Sequence, residues 1–372
     1  MRPDTNTIRD RIKEAGLRVP EVLTLMITEA CNLSCPHCLL NCKNLKTVPV
    51  PKEYIIDIID EFSDLGGVSL LVTGGEPLSH PDWPEILEHA CNSTVLSEVI
   101  LQTNGALVTH SDIEKIKRFN HERLKIQVSL DGAAPETNDL IRGKGSFEAS
   151  VRGIRHFADA GMEKRIKIAF TEMRHNYDDI PEMLKLSDSL GVGQFVTGTL
   201  VKGGRAEKAD WIGMPEKSQV RNLIELYESD SAFRALYDKL GNISAIEWYR
   251  GRDIPSDHVC NCIGTPFIDA SDKMYPCVMY LEDDLAVDNV HETGMKNAIL
   301  KGLEKWSRLP ELDKKRMELL AKCRDCVGRE HCRGGCIGRA SAVDGDAVSV
   351  EDRCELRREV YYWKLKHKSI RK

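Results

Sequence analysis

The sequence predicts an α/β fold, a partial (β/α)6 TIM-like barrel followed by a small cysteine-rich domain. Three observations carry this expectation. Six apolar runs alternate with amphipathic helical patterns across residues 22–200. The residues best suited to chemistry fall just after those runs. Eight of the 13 cysteines crowd into residues 260–354. Strand–helix alternation of this length favours parallel strands joined by right-handed crossovers. Six units rather than eight leave the barrel open, and such barrels place their sites at the C-terminal ends of the strands.

The runs lie at 22–28, 68–73, 97–102, 124–130, 165–171 and 194–200. Helical patterns fall at about 52–64, 82–92, 111–119, 146–161 and 178–190. Pro51, Pro81 and Pro181 stand where first helical turns begin, a position proline favours. Residues 1–20 read as a helical, solvated lead-in, 21–206 as the barrel and 207–255 as a bridge with helices at 215–228 and 230–240. Residues 256–354 form the cysteine-rich domain and 355–372 a basic C-terminal helix. Within the bridge, Trp248-Tyr249-Arg250-Gly251-Arg252 reads as a partly packed turn, with substrate contact as the alternative. Cys91 reads as a buried structural thiol.

A chain of 372 residues with 41% hydrophobic and 30% charged residues is ordinary for a globular protein of this size. No apolar run approaches the ~20 residues that cross a bilayer, and the polar N-terminus is not a secretory signal. A cytoplasmic protein is expected, without membrane or nucleic-acid partners, since a net charge of −6 gives no general attraction to phosphate backbones. An odd number of clustered cysteines in a reducing compartment points to metal binding rather than to a disulfide framework. Oxygen attacks such sites, so an anaerobic or protected setting is expected.

Directly after the first run comes Ile27-Thr28-Glu29-Ala30-Cys31-Asn32-Leu33-Ser34-Cys35-Pro36-His37-Cys38. Three thiolates on one short loop can ligate three irons of a cubane and leave the fourth open to a chelating molecule. A zinc site completed by His37 is the alternative. Cys42 reads as a spare thiol. The C-x3-C-x2-C stretch resembles the cluster loop of radical S-adenosylmethionine (SAM) enzymes. The resemblance implies that the open iron chelates the amino and carboxylate groups of SAM. It implies reductive cleavage to a 5′-deoxyadenosyl radical that abstracts hydrogen from a substrate. It also places the aromatic position beside the adenine at His37.

The other strand ends extend the likeness. Gly74-Gly75-Glu76-Pro77 matches the family motif that binds the SAM amino group. Its glycines permit close backbone approach and Glu76 can accept from an ammonium. Gln102-Thr103-Asn104-Gly105 reads equally as a turn or as a ligand contact. Ser129 and Arg142 resemble the pair that contacts the SAM carboxylate, a group that a planar guanidinium fork suits. Helix capping or pairing with Glu148 is the other reading of Arg142. Asp131 is a candidate for the ribose hydroxyls or for a structural turn. Ser146 reads as a helix N-terminus. Lys202-Gly203-Gly204-Arg205-Ala206 resembles the segment that closes the barrel beside the adenine, although Gly-Gly is also a common turn.

The distal cysteines are Cys260, Cys262, Cys277, Cys323, Cys326, Cys332, Cys336 and Cys354. Their spacing resembles the SPASM extension of radical SAM enzymes, which implies two auxiliary 4Fe–4S clusters beside the SAM-binding one. Two zinc sites are the alternative. The resemblance implies that Cys323, Cys326 and Cys332 are completed by Cys354. Cys336 then joins Cys277, Cys262 and Cys260, with a free thiol as the alternative reading of Cys260. Asp272 stands where the family has glycine, and Asp tolerates positive φ, so the hairpin there should survive.

The implied function is a radical SAM oxidoreductase or maturase acting on a ribosomally made peptide or protein. Tailoring of a tetrapyrrole side chain is the alternative, and an iron–sulfur electron carrier is the contrasting non-enzyme reading. A flavodoxin or ferredoxin would supply electrons. With about 20 residues before the first strand, a separate carrier protein is expected to hold any leader peptide. Sulfatase maturases of the family carry an Asp base directly after the Cys at position 277. Here Val278 follows, so formylglycine formation is not expected.

Overall fold

Six strands follow one another through the first half of the chain: β1 Val22–Met26, β2 Ser69–Thr73, β3 Glu98–Thr103, β4 Leu124–Ser129, β5 Ile166–Glu172 and β6 Gln194–Thr199. Four short ones come later: β7 Gly241–Asn242, β8 Phe267–Ile268, β9 Lys273–Tyr275 and β10 Val287–Asp288. The computed structural model describes residues 4–42, 47–119, 122–251, 260 and 263–370, the last three as backbone only. Each of the first six strands lies within two residues of its predicted run. The helices Lys52–Asp64, Trp83–Asn92, His110–Ile116, Ser146–Asp159 and Ile180–Ser189 occupy the predicted crossovers, making an α/β fold with a parallel central sheet.

Three local expectations change. The lead-in helix Thr5–Glu14 is not solvated on every side: Ile8 and Ile12, four residues apart on one face, are fully buried against Met295–Trp306. Pro81 lies outside its helix, which starts at Trp83 and takes Pro84 in its first turn. A helix absent from the sequence reading, Pro135–Arg142, starts on its own proline and ends at Gly143 with φ +100°.

The chain divides into two compact units. The first holds residues 1–34, 42–127 and 260–312. Its strand order is β10-β9-β8-β1-β2-β3, with β8 parallel to β1 and antiparallel to β9. The hairpin turn places Asp272 at φ +73°. Asp is one of the side chains that tolerate this left-handed conformation, so the hairpin forms without glycine, and the Asp272 carboxylate accepts from His291 N at 2.6 Å.

The second unit holds residues 35–41, 128–259 and 313–372. Here β5, β6 and β7 run parallel. The bridge helices Lys217–Ser229 and Ser231–Leu240 form as expected, and Ser244–Arg250 adds a third. Trp248 is buried under the Arg357 guanidinium, 4.8 Å from its ring. The Tyr249 ring meets Tyr227 edge-on at 6.4 Å. These aromatics therefore pack the bridge. Arg252 lies outside the described residues. Among the described residues no helix is long and apolar enough to cross a membrane.

Candidate cluster-binding site

In the first unit, the ends of β2 and β3 hold the start of the cysteine loop. Gly75 N donates to Thr28 O at 2.8 Å and Glu76 N to Ala30 O at 2.7 Å. A Cβ on Gly74 would lie 2.8 Å from Thr28 O, and one on Gly75 would lie 2.4 Å from Ala30 O. The loop's own backbone thus requires both glycines. Glu76 is fully buried and accepts from Thr103 Oγ1 and Asn104 N, each at 2.7 Å. Asn104 Nδ2 donates in turn to Asn32 Oδ1 at 2.8 Å, just after Cys31. The Gln102–Gly105 turn is therefore an anchor for the loop. Sequence reasoning assigned no role to Asn32, whose side chain gives no signal without its partner. Cys42, read as a spare thiol, is buried with its Sγ 3.7 Å from Gly74 O.

In the second unit, the rest of the loop is held from two sides. Arg205 N donates to Cys38 O at 3.0 Å, and Arg205 Nε donates to Cys35 O at 2.9 Å. From the other side, His37 Nε2 lies 3.3 Å from Asp131 Oδ2. Arg142 Nη2 lies 2.7 Å from the same oxygen, with both side chains buried. Asp131 Oδ1 accepts from Thr171 N at 2.7 Å, and its backbone is held by Asn138 and Asn176. Asp131 is thus a closed hub between β4, β5 and the loop. Pairing of Arg142 with Asp131 replaces the capping and Glu148 alternatives. Ser129, at the end of β4, is half-buried. Ser146 does open its helix, with Asp139 accepting from its Oγ at 2.9 Å and from Phe147 N at 2.8 Å.

Burial pushes the His37 imidazole down to about 4, helped by Arg142 and Arg205 and opposed by Asp131. It is neutral at pH 7. Burial pushes the Cys35 thiol up, with Arg142 and Arg205 opposing. Cys91, away from this loop, is a buried thiol pushed up to about 12 by the same cause.

Of the distal cysteines, Cys323, Cys326, Cys332 and Cys354 line one cavity in the second unit. Lys322, Arg329, Arg357 and Arg358 also line it. Burial pushes Cys332 up to about 12 and Cys354 up to about 11, the usual state of thiols before a metal displaces their protons. Four thiols under four cations suit an anionic four-thiolate cluster. Among the described residues no three such side chains converge closely enough for a single ion. A cubane does not ask this, because each thiolate takes a different iron. Cys336 is not part of that lining; its N–H donates to Glu351 Oε2 at 2.9 Å. Glu351 is buried, and the guanidiniums of Arg353 and Arg357 outweigh that burial, holding its carboxyl down at about 2. In the first unit, Cys260 and Cys277 are half-buried. Cys262 lies outside the described residues.

A family model described as Radical SAM superfamily matches residues 25–187. An AdoMet-dependent heme synthase of Methanosarcina barkeri is 28% identical over 362 residues, covering 92% of this chain and 98% of that one. The mycofactocin maturase MftC of Mycolicibacterium smegmatis is also 28% identical, over 87% of this chain and 80% of its own length. Among solved structures, native anSMEcpe with bound AdoMet superposes with a TM-score of 0.71 at 18% identity, covering 94% of this chain and 98% of that one. Streptococcus suis SuiB bound to precursor peptide SuiA gives 0.70 at 16%, over 93% and 78%. At these identities the structural likeness shows a shared fold.

Proposed function

We propose that this chain, whose residues 25–187 match the Radical SAM superfamily, is a radical SAM enzyme that works with a 4Fe–4S cluster and SAM and modifies a ribosomally made peptide or protein. The observation that carries the site assignment is the loop itself. Cys35 and Cys38 are held through their backbone carbonyls, on Arg205, and neither thiol is used in a disulfide. With Cys31 they would hold the SAM-binding cluster. The bound cofactor supplies a reactive carbon radical, and the protein's task is to orient substrate and keep water out.

Gly74, Gly75 and Glu76 would serve the SAM amino group, and Ser129 and Arg142 its carboxylate. Glu76 and Asp131 are enclosed by protein donors, so their main work in this chain is to fix the segments that carry the ligands. A SPASM-type auxiliary cluster would take Cys323, Cys326, Cys332 and Cys354, a set supported by their common cavity. Cys336 belongs to a different set in this reading, together with Cys260, Cys262 and Cys277.

The peptide reading is supported by the maturase MftC, which aligns over most of both chains. The end-to-end match to a heme synthase favours a second reading, tailoring of a tetrapyrrole side chain. The test is anaerobic reconstitution with reductant and SAM, offering precursor peptides encoded nearby in one arm and an iron porphyrin in the other. Deoxyadenosine release with a mass change on peptide supports the first reading; a mass change on porphyrin alone replaces it with the second.

A further inference from the structure

The Gly203–Ala206 segment, which the sequence reading places beside the adenine, also reaches the cysteine loop in the fold. Arg205 reaches the cysteine loop twice, from its backbone N to Cys38 O at 3.0 Å and from its side-chain Nε to Cys35 O at 2.9 Å. The contact is too close for any side chain at the preceding residue: a Cβ on Gly204 would lie 2.2 Å from Leu39 O and 2.5 Å from Cys38 O. Gly204 also sits at φ +56°. Within the loop, Cys38 N donates to Cys35 O at 3.2 Å and Asn41 N to Cys38 O at 3.4 Å.

What holds Arg205 is rigid. The next residue, Ala206, is fully buried in a cluster with Ile141, Met173, Leu200, Ala209 and Ile212. A site built on a packed segment holds its geometry better than one built on a free loop.

We propose that Arg205 is the positioning residue of the cysteine loop: it presets Cys35 and Cys38 for the cluster and fixes a positive charge beside it. The inference rests on Cys35 and Cys38 being cluster ligands. The fixed charge stabilises the more negative, reduced cluster, so it raises the midpoint potential. The paired hydrogen bonds order the loop before iron arrives. A lysine keeps the charge but lacks the planar fork, which separates the two effects.

The experiment compares Arg205→Gln and Arg205→Lys with the native chain by two measurements. The first is amide hydrogen exchange over residues 35–41 in iron-free protein. The second is the midpoint potential of the SAM-binding cluster, followed by EPR in the reconstituted enzyme. Both variants should exchange roughly tenfold faster in the loop, the scale of losing one charge-assisted hydrogen bond. Only Arg205→Gln should lower the potential, and Arg205→Lys should restore it. A native potential in Arg205→Gln overturns the proposal even if the loop loosens, since a purely structural contact would do that much. If Arg205→Gln does not accumulate, native loop protection in Arg205→Lys overturns it alone. Replacing Cys31, Cys35 and Cys38 with Ala separates the underlying reading. A SAM-binding cluster signal retained there would remove the ligand assignment, while the exchange result in iron-free protein would stand.

Discussion

Arg142 Nη2 and Asp131 Oδ2 meet at 2.7 Å in a space closed to solvent. The pair joins the end of β4 to the C-terminal turn of Pro135–Arg142, and His37 extends it to the cysteine loop. One carboxylate therefore sets both a SAM-carboxylate candidate and the residue before Cys38.

Asp131→Asn keeps the shape and removes the charge, leaving the Arg142 guanidinium buried without its counter-ion. Breaking a buried pair from one side costs about 3–5 kcal/mol. Urea denaturation should show a loss of that order. SAM affinity should fall as well, because Arg142 is no longer held in place. A variant as stable as the native chain would show that the pair is dispensable.

Glu351 gives a dependence on pH. Its carboxyl is held at about 2 against an ordinary value of 4.5. A depressed carboxylate stabilises the fold above the unfolded value and loses that contribution as pH falls through the folded one. The window is therefore from about pH 4.5 down to about pH 2, and the contribution is of order 3 kcal/mol. In iron-free protein, Glu351→Gln should melt well below native at pH 6. The gap should narrow at pH 3. An equal gap at both values would show that the charge is not what Glu351 contributes.

The distal cysteines separate by iron count. Cys323→Ala and Cys354→Ala should each destabilise the same cluster, and the double variant should lose no more iron than either alone. Cys336→Ala should add a further loss when combined with Cys354→Ala. Equal, non-additive losses from Cys336→Ala and Cys354→Ala would place both on one cluster.

Sulfatase maturation is the negative case. With Val278 after Cys277, no side chain at that position can take a proton. A sulfatase-derived peptide incubated with reconstituted enzyme and SAM should keep its cysteine or serine unchanged. A formylglycine mass would show that another base acts, with Asp272, Glu282 and Asp283 the residues to test.

The sequence by itself determined the strands and the cysteine frame, because both depend on local pattern. Val22–Met26 announces a strand by its largely apolar run, and Ile166–Glu172 by bulky apolar residues at every second position, Ile166, Ile168 and Phe170. Ligand spacing such as C-x3-C-x2-C is written directly in the chain. The Asp272 hairpin was legible for the same reason, since a left-handed turn asks only what one residue tolerates. What the tertiary structure decided is which residues hold those features in place. Nothing near Asn32 names Asn104, 72 positions away, and nothing near Cys35 names Arg205, 170 positions away. The burial of Ile8 and Ile12 likewise depends on Met295–Trp306. Hydrogen bonds and ion pairs between distant segments follow from how strands and helices pack, and local periodicity carries no record of that packing.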